Sequence, residues 1–425
     1  MHILFGILGI IAMLAIAFFM SNNRKAINYK TVIVGLFLQF FLAVFILKFK
    51  PGKVIFEYIG KFVEKILDFA TEGSNFVFGP LSNSPDVLRE LFGDKAFIFA
   101  LNLIPALIFM MILVNILYYY GIMQRVVAFL GKIVNKLMDV SGAEALSNVA
   151  SSFVGQVVAQ IMIKPYLPNL TRSEILASMT GSMACLSGGL IAVYAGLGIP
   201  PQYMLAACIM AAPGALVVSK IIYPETLEPQ TKNDFKIKQH RTDVNVLDAI
   251  SKGASDGMKV GLNVIAMLIA LIALIALVDY FLGKVGFILH NYLHLNLSFI
   301  GLDIEHLSVK MIFGKLFSVF AFLIGIPFNE VTTVGSLLGT KFILNEAIAF
   351  TNLASIENVI SERSFIIATF ALSGFANLSS VAIQISGIGE IAPNQRKNLA
   401  RMGIRALIAG TLTSYISACM ASILI

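Results

Sequence analysis

SGFANLSSVAIQISGIGEIAP, residues Ser373–Pro393, lies inside a long apolar run yet carries Asn377, Ser379, Ser380, Gln384 and a Gly-Ile-Gly. Lipid offers no partner for such groups, so a purely structural membrane helix has no need of them. A second stretch is built alike: SMACLSGGLIAVYAGLGIP, Ser182–Pro200. Ala376-Asn377-Leu378-Ser379 aligns with Ala184-Cys185-Leu186-Ser187, and Gly387-Ile388-Gly389 with Gly196-Leu197-Gly198. Upstream, Arg363-Ser364 echoes Arg172-Ser173, each followed by three apolar residues after one spacer. Order and spacing agree across all three blocks, which marks an internal repeat. Two copies of a broken, polar helix point to a membrane transporter built from repeats.

Composition sets the frame. The 425 residues are 58% hydrophobic and 13% charged, and mean hydropathy is +0.85. Soluble domains carry about 25% charge, so the chain is an integral membrane protein. Its net charge of +7 is confined to short clusters between apolar runs, which reads as membrane topology and not as a nucleic-acid surface. Cys185, Cys208 and Cys419 fall in apolar segments with no disulfide or metal spacing. The five histidines lie outside the spans, so no buried histidine metal site and no cofactor is expected.

The spans follow from hydropathy and basic clusters. Ile3–Met20 precedes Arg24, Lys25 and Lys30, which places the N-terminus outside. Thr31–Leu47 returns, Lys53–Phe69 reads as interfacial, and Ala96–Tyr120 is a third span before a basic amphipathic stretch, Gln124–Val140. Ala145–Ile163 carries Ser147, Asn148, Ser151, Ser152, Gly155, Gln156 and Gln160 between two basic flanks. A segment with both ends on one side enters and turns back, here near Gly155; an amphipathic surface helix is the alternative. Ile175–Ile199 and Tyr203–Ile222 cross, Tyr223–Lys252 is a soluble linker, and Val260–Leu282 crosses to an external segment, 283–306. Val309–Ala347 is interrupted at Gly325–Glu330, where Pro327 breaks the ladder and a carboxylate would cost about 2.5–3.5 kcal/mol at depth. That reads as a second hairpin. Ser364–Ile385 and Leu407–Leu424 complete eight spans and two re-entrant hairpins, an all-α protein of inverted repeats with both termini outside. The expected division is 1–140 for N-terminal scaffold, 141–222 for the first transport repeat, 223–308 for linker, scaffold span and external segment, and 309–425 for the second repeat.

Broken helices expose backbone amides and carbonyls that can hold a cation or a polar substrate. Asn329-Glu330 beside Pro327 is the strongest single signal, since two carboxylate oxygens suit a vicinal diol such as ribose; a structural carboxylate is the alternative. Asn377 and Ser380 share a helix face, for a ligand or for bonds between helices. Phe375 stacks on a base or fills lipid-facing space.

The chain resembles the concentrative nucleoside transporters in their bacterial eight-span form. The resemblance rests on SNNRKAIN (Ser21–Asn28), VGQ (Val154–Gln156), KPYLP (Lys164–Pro168), AAPGAL (Ala211–Leu216), YPET (Tyr223–Thr226), IPFNE (Ile326–Glu330), GFANLSS (Gly374–Ser380) and RMGIRALIAGTL (Arg401–Leu412). It implies a homotrimer in the inner (cytoplasmic) membrane that imports nucleosides by an elevator-like motion, driven by Na+ or H+. It implies that the second-hairpin glutamate, mapped here to Glu330, holds the ribose with Asn377 and Ser380, and that Phe375 lies beside the base. Gln156 matches the first hairpin's glutamine. The Thr and Glu that follow it in the family are Val157 and Val158, with Gln160 about a turn further on. At the family's sodium site the resemblance maps Ser151, Val154, Cys185 and Leu186, where Ser and Cys replace better ligands and make sodium dispensable by expectation. A permease for another ribosylated or sugar-like compound and a non-transporting receptor of the same fold are the alternatives. No nucleophile–base pair or metal cluster lies in the spans, so no enzyme is expected.

Overall fold

The computed structural model describes residues 2–79, 81, 98–232, 244–291 and 307–425. All regular secondary structure among the described residues is helical, with no strand. The helices in chain order are α1 (His2–Phe19), α2 (Tyr29–Leu47), α3 (Lys50–Phe78), α4 (Phe99–Tyr119), α5 (Ile122–Met138), α6 (Gly142–Val154), α7 (Val158–Ile161), α8 (Arg172–Ala184), α9 (Gly188–Ala195), α10 (Pro201–Ile222), α11 (Val246–Asn291), α12 (Val309–Leu323), α13 (Val331–Ile343), α14 (Glu346–Ser355), α15 (Glu362–Leu372), α16 (Leu378–Ile391) and α17 (Arg396–Leu424). Residues 233–243 of the linker and 292–306 of the external segment lie outside the described residues.

Among the described residues, five apolar stretches are long enough to cross a membrane: Tyr29–Leu47, Arg172–Ala195, Pro201–Ile222, Ile272–Asn291 and Pro393–Leu424. Three of them are 83–89% buried, whereas Ile272–Asn291 is 6% buried, so α8–α9, α10 and α17 form the interior and α11 the rim. On that rim α11 packs along α4. A Cβ on Gly253 or Gly257 would come within 3.0 Å of the α4 backbone at Ile112 or Ile108, which is why small residues stand there. Helices α4 and α5 meet at 75°, turning at Gly121 with φ +71°, as the change from apolar to amphipathic sequence predicts.

The repeat is visible as topology. Hairpin α6–α7, broken span α8–α9 and long helix α10 are followed later by hairpin α13–α14, broken span α15–α16 and long helix α17. The first hairpin turns at Gly155, φ +89°, where the sequence places it. The second differs. The Gly325–Glu330 interruption is an outer turn between α12 and α13, which run antiparallel, with Gly314 against Ser336 and Gly339 against Phe313. Phe328 in that turn is 87% exposed. The inner break is Leu344–Asn345, where the Asn345 side chain accepts from Ile348 N at 3.0 Å and starts α14. The repeat register also shifts: the helices after the breaks are capped at Ser187 and Asn377, two residues from the alignment that pairs Asn377 with Cys185.

The base of the first hairpin is pinned by charge and caps. Ser141 and Glu144 form a capping box on α6, and Thr171 and Glu174 another on α8. Ser141 Oγ donates to Glu174 at 2.6 Å, and Lys220 Nζ of α10 lies 2.7 Å from Glu144. Thr231 O accepts from Gly142 N at 2.9 Å, so the first part of the linker is tied to this base.

The two broken spans cross at their breaks. A Cβ on Gly374 would lie 2.8 Å from Ala184 O, closer than any real Cβ contact, and the atom it meets is backbone. Gly374→Ala should therefore destabilise by about 1–3 kcal/mol, seen as a lower thermal midpoint in detergent. Gly283→Ala, with nothing within 4 Å of the new Cβ, should leave that midpoint unchanged.

Candidate functional site

Four helix breaks converge: Gly155–Val157, Cys185–Ser187, Leu344–Asn345 and Ser373–Asn377. Gly155 abuts Ser187, Gly188 lies 3.4 Å by its virtual Cβ from Phe153 O, and Gly374 meets Ala184. Asn377 links the second pair. Its Oδ1 accepts from Ser380 N at 2.9 Å, capping α16, and its Nδ2 donates to Glu346 Oε2 at 3.0 Å. Glu346 is 6% exposed, and Tyr194 of α9 donates to its other oxygen at 3.3 Å while stacking on Phe350 at 4.6 Å. The carboxylate sits at the first residue of α14 and against the capping residue of α16. Two helix N-termini, with their positive dipole ends, thus favour a negative charge there. Lys341, buried at 2% exposure, donates to Ala371 O at 2.9 Å and holds the end of α15.

Further along α16, Gln156 of the first hairpin donates to Ser380 Oγ at 3.4 Å, and Gln384 donates to Gln156 Oε1 at 3.5 Å. Both contacts are at the long limit of hydrogen bonding, so Gln156 is weakly held. Gln384 also donates to Met179 O at 3.3 Å. Val157 faces Gly387, whose added Cβ would come within 2.9 Å of it, and Val158 packs on the apolar core. Phe375, 6% exposed, belongs to that core.

Of the residues singled out from sequence, Gln156, Asn377 and Ser380 come together. Asn329 and Glu330 do not. Glu330 lies in the outer turn and accepts from Ser361 N and Ser361 Oγ, both at 3.0 Å, bracing the start of α15. The Asn-Glu pair recurs at Asn345-Glu346, and this second pair is the one at the inner break. Gln160 also leaves the site: its amide donates to Ser182 Oγ at 2.8 Å and accepts from Ser178 Oγ at 2.6 Å. At the mapped cation positions Ser151 Oγ donates to Ser147 O at 2.7 Å and contacts Ser182. Cys185 lies 3.4 Å from Ser152 Oγ and 3.5 Å from Cys208 O, not on Ser151. Leu186 N and O both face the Cys208 thiol, and Val154 is core. Among the described residues no group of three or more His, Cys, Asp or Glu side chains could hold a metal ion.

This arrangement has known counterparts. Family descriptions match three parts of the chain: Na+ dependent nucleoside transporter C-terminus over residues 203–422, the N-terminus over 8–81, and nucleoside recognition (Gate) over 100–201. The chain belongs to the Na+ dependent nucleoside transporter family. It is 40% identical to the uncharacterized transporter YutK of Bacillus subtilis over the full length of both chains. It is 35% identical to the nucleoside permease NupC of Helicobacter pylori, covering 99% of this chain and 98% of that one. It is 34% identical to sodium/nucleoside cotransporter 1 of Rattus norvegicus, covering 98% of this chain and 63% of the rat protein. The structure of CNTnw in an inward-facing substrate-bound state superposes with TM-score 0.91 at 35% identity, over 100% of this chain and 98% of that one. Membership confirms the nucleoside transporter family, a helical membrane transporter and not an enzyme, as the sequence implies.

The two Asn-Glu pairs differ in surroundings: Glu330 accepts from Ser361 at the outer turn, and Glu346 accepts from Asn377 at a buried break. Glu330→Gln should leave nucleoside affinity within about twofold of the unmodified protein, measured as half-saturating concentration in proteoliposomes. Its effect should instead appear as a modest loss of thermal stability, because only the brace to Ser361 weakens.

Proposed function

We propose that this chain is a cation-coupled nucleoside importer of the inner membrane, and that Glu346, Asn377, Ser380 and Gln156 bind the nucleoside. One observation carries the reading: a buried carboxylate and an asparagine, hydrogen-bonded across two helix breaks, face the polar stretch of α16. A ribose diol replaces the Asn377–Glu346 bond with bonds of its own, donating to the carboxylate and accepting from the amide. Gln156 and Ser380, held only by long contacts, are free to rearrange around the rest of the ligand. Glu346 thereby takes the role that the resemblance assigned to Glu330.

The elevator-like motion and the trimer belong to the same reading. The hairpins α6–α7 and α13–α14, with the buried bundle of α8–α10 and α15–α17, are the part that carries the site; α4 and α11, packed on each other at the rim, are the frame. The exposed apolar faces of α11 suit lipid or neighbouring protomers of a trimer. Both termini then lie outside. A related ribosylated substrate is favoured by one feature, the apolar pair Val157 and Val158 at the first hairpin.

Glu346→Gln keeps the shape and removes the charge; bonds to charged groups contribute about 1.5–3 kcal/mol. Half-saturation for uridine or adenosine should rise about tenfold to a hundredfold in proteoliposomes with equal amounts of folded protein. Unchanged half-saturation would remove Glu346 from the site. As to the ion, the Ser151 hydroxyl is committed to Ser147 and Ser182, and a thiol is a poor partner for a hard cation. Uptake should persist when choline replaces sodium and should follow an imposed pH gradient; a proton carries the same drive, about 2.3 kcal/mol per 100 mV. Uptake that needs sodium and ignores pH would show that backbone carbonyls alone hold the coupling ion.

A further inference from the structure

The oxygen of the Gln384 side chain is buried and has no hydrogen-bond partner, and the residue is 0% exposed. Its nitrogen is doubly engaged, with Met179 O and Gln156 Oε1, which fixes the orientation of the amide: the oxygen is the free end. A buried acceptor left unpaired is costly, and this one lies beside Gln156 in the candidate site. Asn377, Ser380 and Gln384 fall on one face of α16 at helical spacing. From Asn377 to Gln384 the helix rises about 10 Å, enough for a nucleoside laid along it with its sugar at the break. At that end of the first hairpin Val157 and Val158 are apolar, Gln160 is tied to Ser178 and Ser182, and the oxygen of Gln156 is turned to the Gln384 nitrogen.

We propose that Gln384 is the base-reading residue of this chain, its free carboxamide oxygen accepting from an N–H at the edge of the nucleobase. The inference rests on the sugar end lying at Glu346 and Asn377. A single acceptor meets the ring N–H of uracil or hypoxanthine and the exocyclic amine of adenine or cytosine alike. The site therefore takes purine and pyrimidine nucleosides that carry such a donor and rejects those that lack one.

Competition against labelled uridine or adenosine in proteoliposomes tests this. In the unmodified protein, adenosine should compete about tenfold better than purine riboside, which lacks the amine, and uridine better than 3-methyluridine. Gln384→Met, close in shape, should bring the adenosine-to-purine-riboside ratio near one by weakening adenosine alone. It should leave the preference for adenosine over 2′,3′-dideoxyadenosine intact. Equal competition by adenosine and purine riboside in the unmodified protein overturns the proposal, whether or not the variant folds. So does a Gln384→Met protein that binds every nucleoside more weakly by the same factor, since that is what bracing α8 through Met179 would produce. If the dideoxy analogue competes as well as adenosine in the unmodified protein, the assignment of the sugar end is what fails, and this inference falls with it.

Discussion

The hydrogen bond from Asn377 to the buried Glu346 carboxylate joins two places where the chain leaves helical geometry inside the bundle. Each break frees backbone groups that lipid cannot satisfy, at several kcal/mol apiece. Asn377 and Asn345 cap the helices that restart after the breaks, Lys341 takes the carbonyl of Ala371, and Gly374 lets the second broken span rest on the first. With these partners in place the breaks persist, and the helix dipoles they expose make a buried carboxylate tolerable. The rest of the fold keeps water and lipid away from this junction.

Much of this is legible in sequence because polar residues in an apolar run have few uses. Asn377, Ser380 and Gln156 stand out on that ground, and glycine marks the first hairpin tip at Gly155. The second tip escapes because Leu344-Asn345 contains neither glycine nor proline. The proline-bearing turn at Ile326–Glu330 carries a more conspicuous signal and the same Asn-Glu pair, but there the glutamate already accepts from Ser361. Lys341 and Glu346, two opposite charges in an apolar segment, are the signal that distinguishes the deep break. The place of Gln384 is not readable from the chain alone, because its neighbour Gln156 is 228 positions away.

The two repeats are alike in topology and unlike in chemistry. The second supplies the ionisable groups at the junction, Lys341 and Glu346. The first supplies hydroxyls, thiols and an amide: Ser151, Ser152, Cys185 and Gln156. On the proposed reading the charge for the sugar comes from the second repeat, which also brings Asn377, Ser380 and Gln384, while the first contributes Gln156. The first hairpin can therefore vary without disturbing the carboxylate, as in this chain, where Val157 and Val158 follow Gln156 while the Asn377–Glu346 bond is in place.

The position of a bound nucleoside tests this account most directly, as density in a structure of the protein in lipid nanodiscs with saturating uridine or adenosine. The account predicts the ribose hydroxyls between Glu346 and Asn377, with the base extending along α16 toward Gln384. Density for the sugar at the Ile326–Glu330 turn, or on any surface away from the four breaks, would contradict it.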